Sequence, residues 1–229
     1  IAGYHAFLFV GESDPAVTSA VAAVIVSLSP VLTTVFARAF LPSERLTAVG
    51  VIGLLVGLVG AVVLAAPDPA NLTGGGTVAK FLVLLAAASF ALGSVLTRAS
   101  DADLPIETME AWSMVLGALL MHLLSVVLGE SVADVAWTTE GVLALAYLSI
   151  AASGLGFLIY FDLLDRLGPI EINLVSYVAP IFAAVAGWLF LSEGITVNTV
   201  AGFLIICVGF ALVKRAALRS ALREYGVAA

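Results

Sequence analysis

Eight apolar runs, most of them about twenty residues long, fix what this chain can become. They are span A at 1–11 (partial), B at 17–40, C at 47–66 and D at 77–98, then E at 107–129, F at 140–165, G at 171–191 and H at 197–215. A helix needs about 20 residues to cross a bilayer. Membrane-barrel strands are about 9–11 residues of alternating polarity, whereas these runs are longer and uniformly apolar, so helices are the reading. Short polar breaks separate them: Asp14-Pro15, Pro67-Asp68-Pro69 with Gly74-Gly75-Gly76, and Gly168-Pro169. The sequence predicts an all-α polytopic membrane protein. Its residues are 62% hydrophobic and 11% charged, against about 45–50% and about 25% in soluble domains. That mixture excludes an ordinary cytosolic enzyme, a nucleic-acid binder and a disordered chain. One cysteine, Cys207, excludes a disulfide scaffold and reads as a small buried hydrophobe. No cofactor or metal is expected. The expected partners are the lipid bilayer and a small-molecule solute.

Charge supplies an orientation. With the carboxyl end cytoplasmic, Arg38, Arg45, Arg98, Arg166, Lys214, Arg215, Arg219 and Arg223 all fall inside, and only Lys80 falls outside. This follows the positive-inside rule. The expected location is the cell membrane of a prokaryote. The excess of Asp+Glu (16) over Lys+Arg (9) suits a salt-rich cytoplasm.

The sequence also repeats itself. Pro30 with Phe40-Leu41, then Ser43-Glu44, Thr47, Gly53 and Gly60, returns as Pro180 with Phe190-Leu191, then Ser192-Glu193, Thr196, Gly202 and Gly209. The offset is 150 residues before Pro42 and 149 after it, and 12 of 34 paired positions are identical over 30–64 without Pro42. The copies lie five spans apart, an odd number, so the second crosses the membrane in the opposite sense. Inverted repeats mark secondary transporters, with the solute site near the midplane between them. No phosphate-binding loop points to ATP as the energy source.

These motifs, in order and spacing, resemble the EamA-like permeases of the drug/metabolite transporter superfamily. The carriers are Ser27-Leu28-Ser29-Pro30, then Leu41-Pro42-Ser43-Glu44-Arg45-Leu46-Thr47 and Gly53, and Tyr177-Val178-Ala179-Pro180, then Leu191-Ser192-Glu193 and Gly202. The resemblance implies ten helices in two inverted units of five, about seven and a half of them present here. It also implies export or exchange of small metabolites such as amino acids. Spans A, B, D, E, F and G then surround the cavity, with C and H peripheral. The expected divisions are 1–66 for the rest of the first repeat, 67–76 for an external linker, 77–215 for the second repeat and 216–229 for a cytoplasmic tail. The competing classes are a non-transporting membrane scaffold or sensor, and an intramembrane hydrolase built on Ser153 and His122.

Polar side chains within the spans are the candidates for the cavity lining. Ser89, Ser94 and Thr97 share a face of span D, Tyr160 lies on span F, and Asn173 and Tyr177 are one turn apart on span G. Ser176 joins this pool, and Trp112 is a wall or belt residue. Each also reads as a helix–helix hydrogen-bonding or packing group. Asp162 and His122 are the candidate titrating groups. Asp162 alternatively pairs with Arg166 one turn on, and His122 alternatively bonds its own helix. Pro30 and Pro180 read as twinned hinges or as packing kinks. Glu44 and Glu193 read as loop carboxylates near the next helix start. Gly53 and Gly202 belong to small-residue stripes for close helix packing, with a homodimer face as the minor alternative for Gly53-x-x-x-Gly57. Asn71-Leu72-Thr73 is a glycosylation sequon.

Overall fold

The computed structural model describes residues 1–17, 19–41, 46–65, 75–100, 104–131, 133, 135–190 and 196–215. Span A is α1 (Ala2–Glu12). Span B is broken into α2 (Ser19–Val26) and α3 (Ser29–Phe40). Spans C, D and E are α4 (Ala48–Ala65), α5 (Thr77–Ser100) and α6 (Ile106–Val127). Span F is α7 (Thr139–Tyr147), a π-helical segment (Leu148–Leu155) and α8 (Gly156–Leu167). Span G is α9 (Pro169–Asn173) and α10 (Val175–Phe190), and span H is α11 (Val197–Val213). Every apolar run is therefore helical, and no strand occurs among the described residues. Among the described residues, four helices are long and apolar enough to cross a membrane: 21–40, 77–100, 106–127 and 139–167.

The breaks have local causes. Pro30 has no amide to return to the carbonyl four residues back. The chain tightens just before it, where the Leu28 amide reaches the Ile25 carbonyl at 3.0 Å, and α3 starts afresh with Pro30 in its first turn. Between α8 and α9 the turn is made by Gly168 at φ +82°, a backbone state that lacks steric cost only without a Cβ. In span G the break falls at Leu174, and α10 runs on through Pro180. The two prolines are thus equivalent in sequence, but only Pro30 stands beside a helix break.

Helices α4 and α11 show the inversion directly. A Cβ built on Gly53 would stand 2.7 Å from the Gly209 carbonyl oxygen, and one on Gly60 would stand 3.0 Å from that of Gly202. As α4 advances from 53 to 60, its partner retreats from 209 to 202, so the helices are antiparallel. Gly53 and Gly202 are repeat equivalents, as are Gly60 and Gly209. The two contacts therefore exchange under a two-fold axis that passes between them. The glycine stripe of α4 packs inside the chain, Gly53 and Gly60 against α11 and Gly57 against the Tyr177 ring.

Ion pairs gather at one end. Arg98 on α5 bonds Asp165 on α8 at 2.8 Å, Arg166 bonds Asp162 at 2.8 Å, and Lys214 bonds Glu171. Ala37, Val95 and Ile170 form a small core there, which brings the end of α3 with Arg38 to the same side. Lys80 stands at the opposite end, where its Nζ donates to the Gly75 carbonyl at 2.7 Å. Cys207 is exposed on α11, which corrects its reading as a buried hydrophobe: it occupies the outer, lipid-side face of a helix whose glycines take the inner one. Pro42, Arg45, Glu44, Glu193, the Asn71–Thr73 sequon and the tail from 216 lie outside the described residues.

Candidate functional site

Two cavities open around span F. The larger, about 490 Å³, is lined by Tyr4 of α1, Val26 of α2, Phe90 of α5, Phe157 and Tyr160 of α8, and Ser176 of α10, among others. It lies between the repeats: α1 and α2 come from the first, and the remaining walls from the second. Its walls are apolar and aromatic, relieved by the hydroxyls of Tyr4, Tyr160 and Ser176. Among the described residues no charged side chain lines it. The π-helical segment contributes Ala152, and the first residue of α8, Gly156, adjoins it. Wide turns of this kind recur at functional sites because they displace backbone from the regular ladder.

The smaller cavity, about 260 Å³, is lined by Ser89, Ser94 and Thr97 of α5, Ser113 of α6 and Tyr160, together with Phe90 and Phe157. Phe90, Phe157 and Tyr160 thus belong to both cavities. Their rings touch in sequence: Phe90 to Tyr160 at 5.4 Å and Phe157 to Tyr160 at 6.2 Å between centroids. Tyr4 extends the row to Phe90 at 5.4 Å.

Asn173 ties the surroundings together. It is fully buried. Its Nδ2 donates to Thr33 Oγ1 at 2.7 Å and to Ser94 Oγ at 2.8 Å, and its Oδ1 accepts from the Tyr160 hydroxyl at 2.8 Å. One amide therefore joins α3, α5, α8 and α9. Three of its four bonding positions are used by other spans. The hydroxyls pass the pattern onward, Thr33 to the Ser29 carbonyl at 2.8 Å and Ser94 to the Ala91 carbonyl at 2.9 Å.

The structure brings Ser89, Ser94, Thr97 and Tyr160 together as the sequence pattern suggested, with Asn173 behind them rather than in a cavity wall. Tyr177 goes elsewhere. Its ring packs on Gly57, and its hydroxyl donates to the Leu54 carbonyl of α4 at 2.9 Å. The break at Leu174 changes the angle between successive turns, so Asn173 and Tyr177 do not point the same way. Trp112 is 62% exposed on the outer face of α6, away from both cavities. His122 is exposed, with Nδ1 at 2.8 Å from the Ala118 carbonyl of its own helix. Asp162 is paired with Arg166 at the charged end. Two residues escaped the sequence pattern. Thr33 lies one turn after Ser29 on span B and was not singled out. Glu110, in the first turns of span E, is the buried acid among the described residues, and it has no hydrogen bond or ion pair there.

An all-helical inverted-repeat membrane protein, with an apolar, hydroxyl-dotted cavity between the repeats, belongs to the carrier class. Comparison with known proteins makes the class particular. Residues 77–215 match the model of the EamA-like transporter family, and the chain belongs to that family. An uncharacterized transporter of Bacillus subtilis, YoaV, is 28% identical over 207 residues, covering 90% of this chain and 70% of that protein. An uncharacterized transporter of Archaeoglobus fulgidus is 27% identical over 212 residues, covering 93% and 73%. A chloroplastic WAT1-related protein of Arabidopsis thaliana is 29% identical over 218 residues, covering 90% and 51%. A solved crystal structure superposes with a TM-score of 0.80 at 26% identity, over 95% of this chain and 74% of that one.

Proposed function

We propose that this transporter carries small metabolites, amino acids or related solutes, out of the cell or in exchange, by alternating access between its inverted repeats. The observation that carries this reading is the position of the larger cavity: its walls come from both repeats, so a relative tilt of the two would open it to one side and close it to the other. Three hydroxyls among aromatic walls suit a solute with an apolar body and a small polar head. The basic end is taken as cytoplasmic, which puts the carboxyl terminus inside the cell. The energy source is a proton or a counter-solute.

Counterflow into proteoliposomes tests the reading. The full-length protein is reconstituted, and labelled amino acids are offered against unlabelled ones inside, with and without a pH gradient. Saturable trans-stimulated uptake of some of them is the expected result. Correctly inserted protein that exchanges none of them would contradict the amino-acid assignment.

A further inference from the structure

The smaller cavity is lined by hydroxyls that bond nothing else. Ser94 and Ser100 of α5 return theirs to the Ala91 and Thr97 carbonyls of their own helix, at 2.9 Å each. The hydroxyls of Ser89 and Thr97 on the same helix, and of Ser113 on α6, have no hydrogen bond among the described residues. All three of these residues line the smaller cavity, and its wall is more polar than that of the larger one. A hydroxyl left without a partner in an apolar surrounding is costly, and the cost falls when a polar group beside it supplies the bond. Helix α5 is unbroken, so Ser89 and Thr97 stand about 12 Å apart along it. A Cβ on Gly3 would meet the Ser89 oxygen at 2.6 Å, which puts that hydroxyl on the side of α1, where Ile1 and Ala2 complete the wall. Thr97 is next to Arg98, whose ion pair with Asp165 marks the charged end. The hydroxyls thus form a ladder from the neighbourhood of Phe90, where the larger cavity begins, towards the charged end. No single small head group spans it, but a solute moving along α5 meets its rungs in turn.

Phe90, Phe157 and Tyr160 line both cavities and so stand between them. Of these three rings only Tyr160 carries a hydrogen-bonding group, and it is tied. Its hydroxyl donates to Asn173 Oδ1 at 2.8 Å, and the same amide donates to Thr33 of the opposite repeat at 2.7 Å. We propose that the smaller cavity is the compartment of the solute path on the charged side, and that Tyr160 is the gate between it and the larger cavity, latched by Asn173. The latch senses the repeats, because any tilt of one against the other pulls on the line from Thr33 through Asn173 to Tyr160. Releasing the hydroxyl frees the ring to turn aside, and the unbonded hydroxyls of Ser89, Ser113 and Thr97 then receive the polar head of the solute. The inference rests on the alternating-access reading and names a part of its path, but its test requires no transported solute.

The test reads the modification rate of single cysteines in the full-length protein, held in oriented vesicles. Cys207 and any cysteine outside this sequence are replaced by Ser, and a small membrane-impermeant thiosulfonate is added on the side of the charged end. Thr97→Cys reports on the smaller cavity and Ser176→Cys on the larger. The expected result is faster modification at Thr97→Cys than at Ser176→Cys. Tyr160→Phe keeps the ring and removes the latch. It should speed modification of Ser176→Cys about threefold to tenfold, the weight of one interhelical hydrogen bond, and leave Thr97→Cys unchanged. Tyr160→Ala removes the gate itself and should bring the two rates together. Ser94→Ala takes another bond from the same Asn173 amide but leaves the ring in place, so both rates should stay as they were. Equal rates at the two positions with Tyr160 intact would overturn the proposal, because nothing would then divide the cavities. An unchanged Ser176→Cys rate in Tyr160→Phe would overturn it as well. So would an equal acceleration by Ser94→Ala, the sign of a general loosening around Asn173. If Tyr160→Ala does not fold, Tyr160→Phe decides alone. Failed counterflow leaves these rates as expected, and unchanged rates leave counterflow intact, so the two readings fall separately.

Discussion

The amide of Asn173 donates to the hydroxyl of Thr33 at 2.7 Å, joining residues 140 positions apart and belonging to opposite repeats. Relative motion of the repeats has to stretch this bond or take α9 along with α3. The same amide group holds Ser94 and Tyr160, so its loss affects four spans at once. Asn173→Ala removes three interhelical bonds worth about 0.6 kcal/mol each in membrane proteins, for about 2 kcal/mol in all. Thr33→Val removes one. Reversible unfolding in mixed micelles should show a destabilisation by Asn173→Ala of about three times that by Thr33→Val, and a double variant no worse than Asn173→Ala alone. Additive losses would mean that the two residues do not share a bond.

The α4–α11 contact should tolerate no side chain at its centre. A Cβ on Gly209 would come within 2.5 Å of the Gly57 amide nitrogen, a backbone atom that cannot swing away. Gly209→Ala should therefore lower the melting temperature or prevent assembly. Gly93→Ala on α5 is the control. A Cβ there meets nothing within 4 Å, and replacing a mid-helix glycine gains up to about 1 kcal/mol. Equal behaviour of the two variants would contradict the packing described.

Tyr177→Ala should behave as a core truncation rather than a transport defect. The ring is 2% exposed against Gly57, and it packs in a cluster with Leu54, Leu174 and Ile206. Emptying an aromatic core position costs about 3–5 kcal/mol. Loss of folded protein in size-exclusion profiles is the expected readout. Normal yield with reduced flux would return Tyr177 to the cavity wall.

The carboxylates should separate by burial. Asp162 is paired with Arg166 at a surface where such pairs contribute about 0–1 kcal/mol, so Asp162→Asn should leave both stability and transport nearly unchanged. Glu110 is 9% exposed and makes no ion pair among the described residues, and the positive end of its helix offsets only about half a charge. Glu110→Gln should raise the melting temperature in detergent. A fall instead would reveal a partner for this carboxylate in the membrane.

The architecture was legible in the sequence because membrane helices announce themselves by length and hydropathy. All eight apolar runs are helical among the described residues, and the odd number of spans between the two copies implied the opposite directions in which α4 and α11 run; their contact itself was not read from the sequence. The site was legible in part. Ser89, Ser94 and Thr97 follow helical spacing, and α5 is unbroken, so their shared face survives folding. Asn173 and Tyr177 follow the same spacing across Leu174, where the helix is interrupted, and there the rule fails. Glu110 was missed because an acid close to the start of a helix, just after Glu107, looks like an exposed end charge. Only the packing of Ile106 and Met109 against Phe161, Leu164 and Ile172 shows that this turn is covered. Trp112 and His122 stand out by residue type, yet hydropathy cannot tell the lipid-facing side of an apolar helix from its cavity side.

The most direct test of the central claim, that the inter-repeat cavity opens alternately to both sides, is accessibility at Ser176. Cys207 is the one cysteine of this sequence, so Ser176→Cys, in a background where Cys207 and any cysteine outside this sequence are replaced by Ser, gives a single reporter in the cavity wall. A membrane-impermeant maleimide is added to oriented vesicles from the outside alone or the inside alone. The account expects labelling from either side, with full modification reached from each at long times, because every molecule visits both states. Labelling from one side only, with complete protection from the other, would contradict alternating access through this cavity.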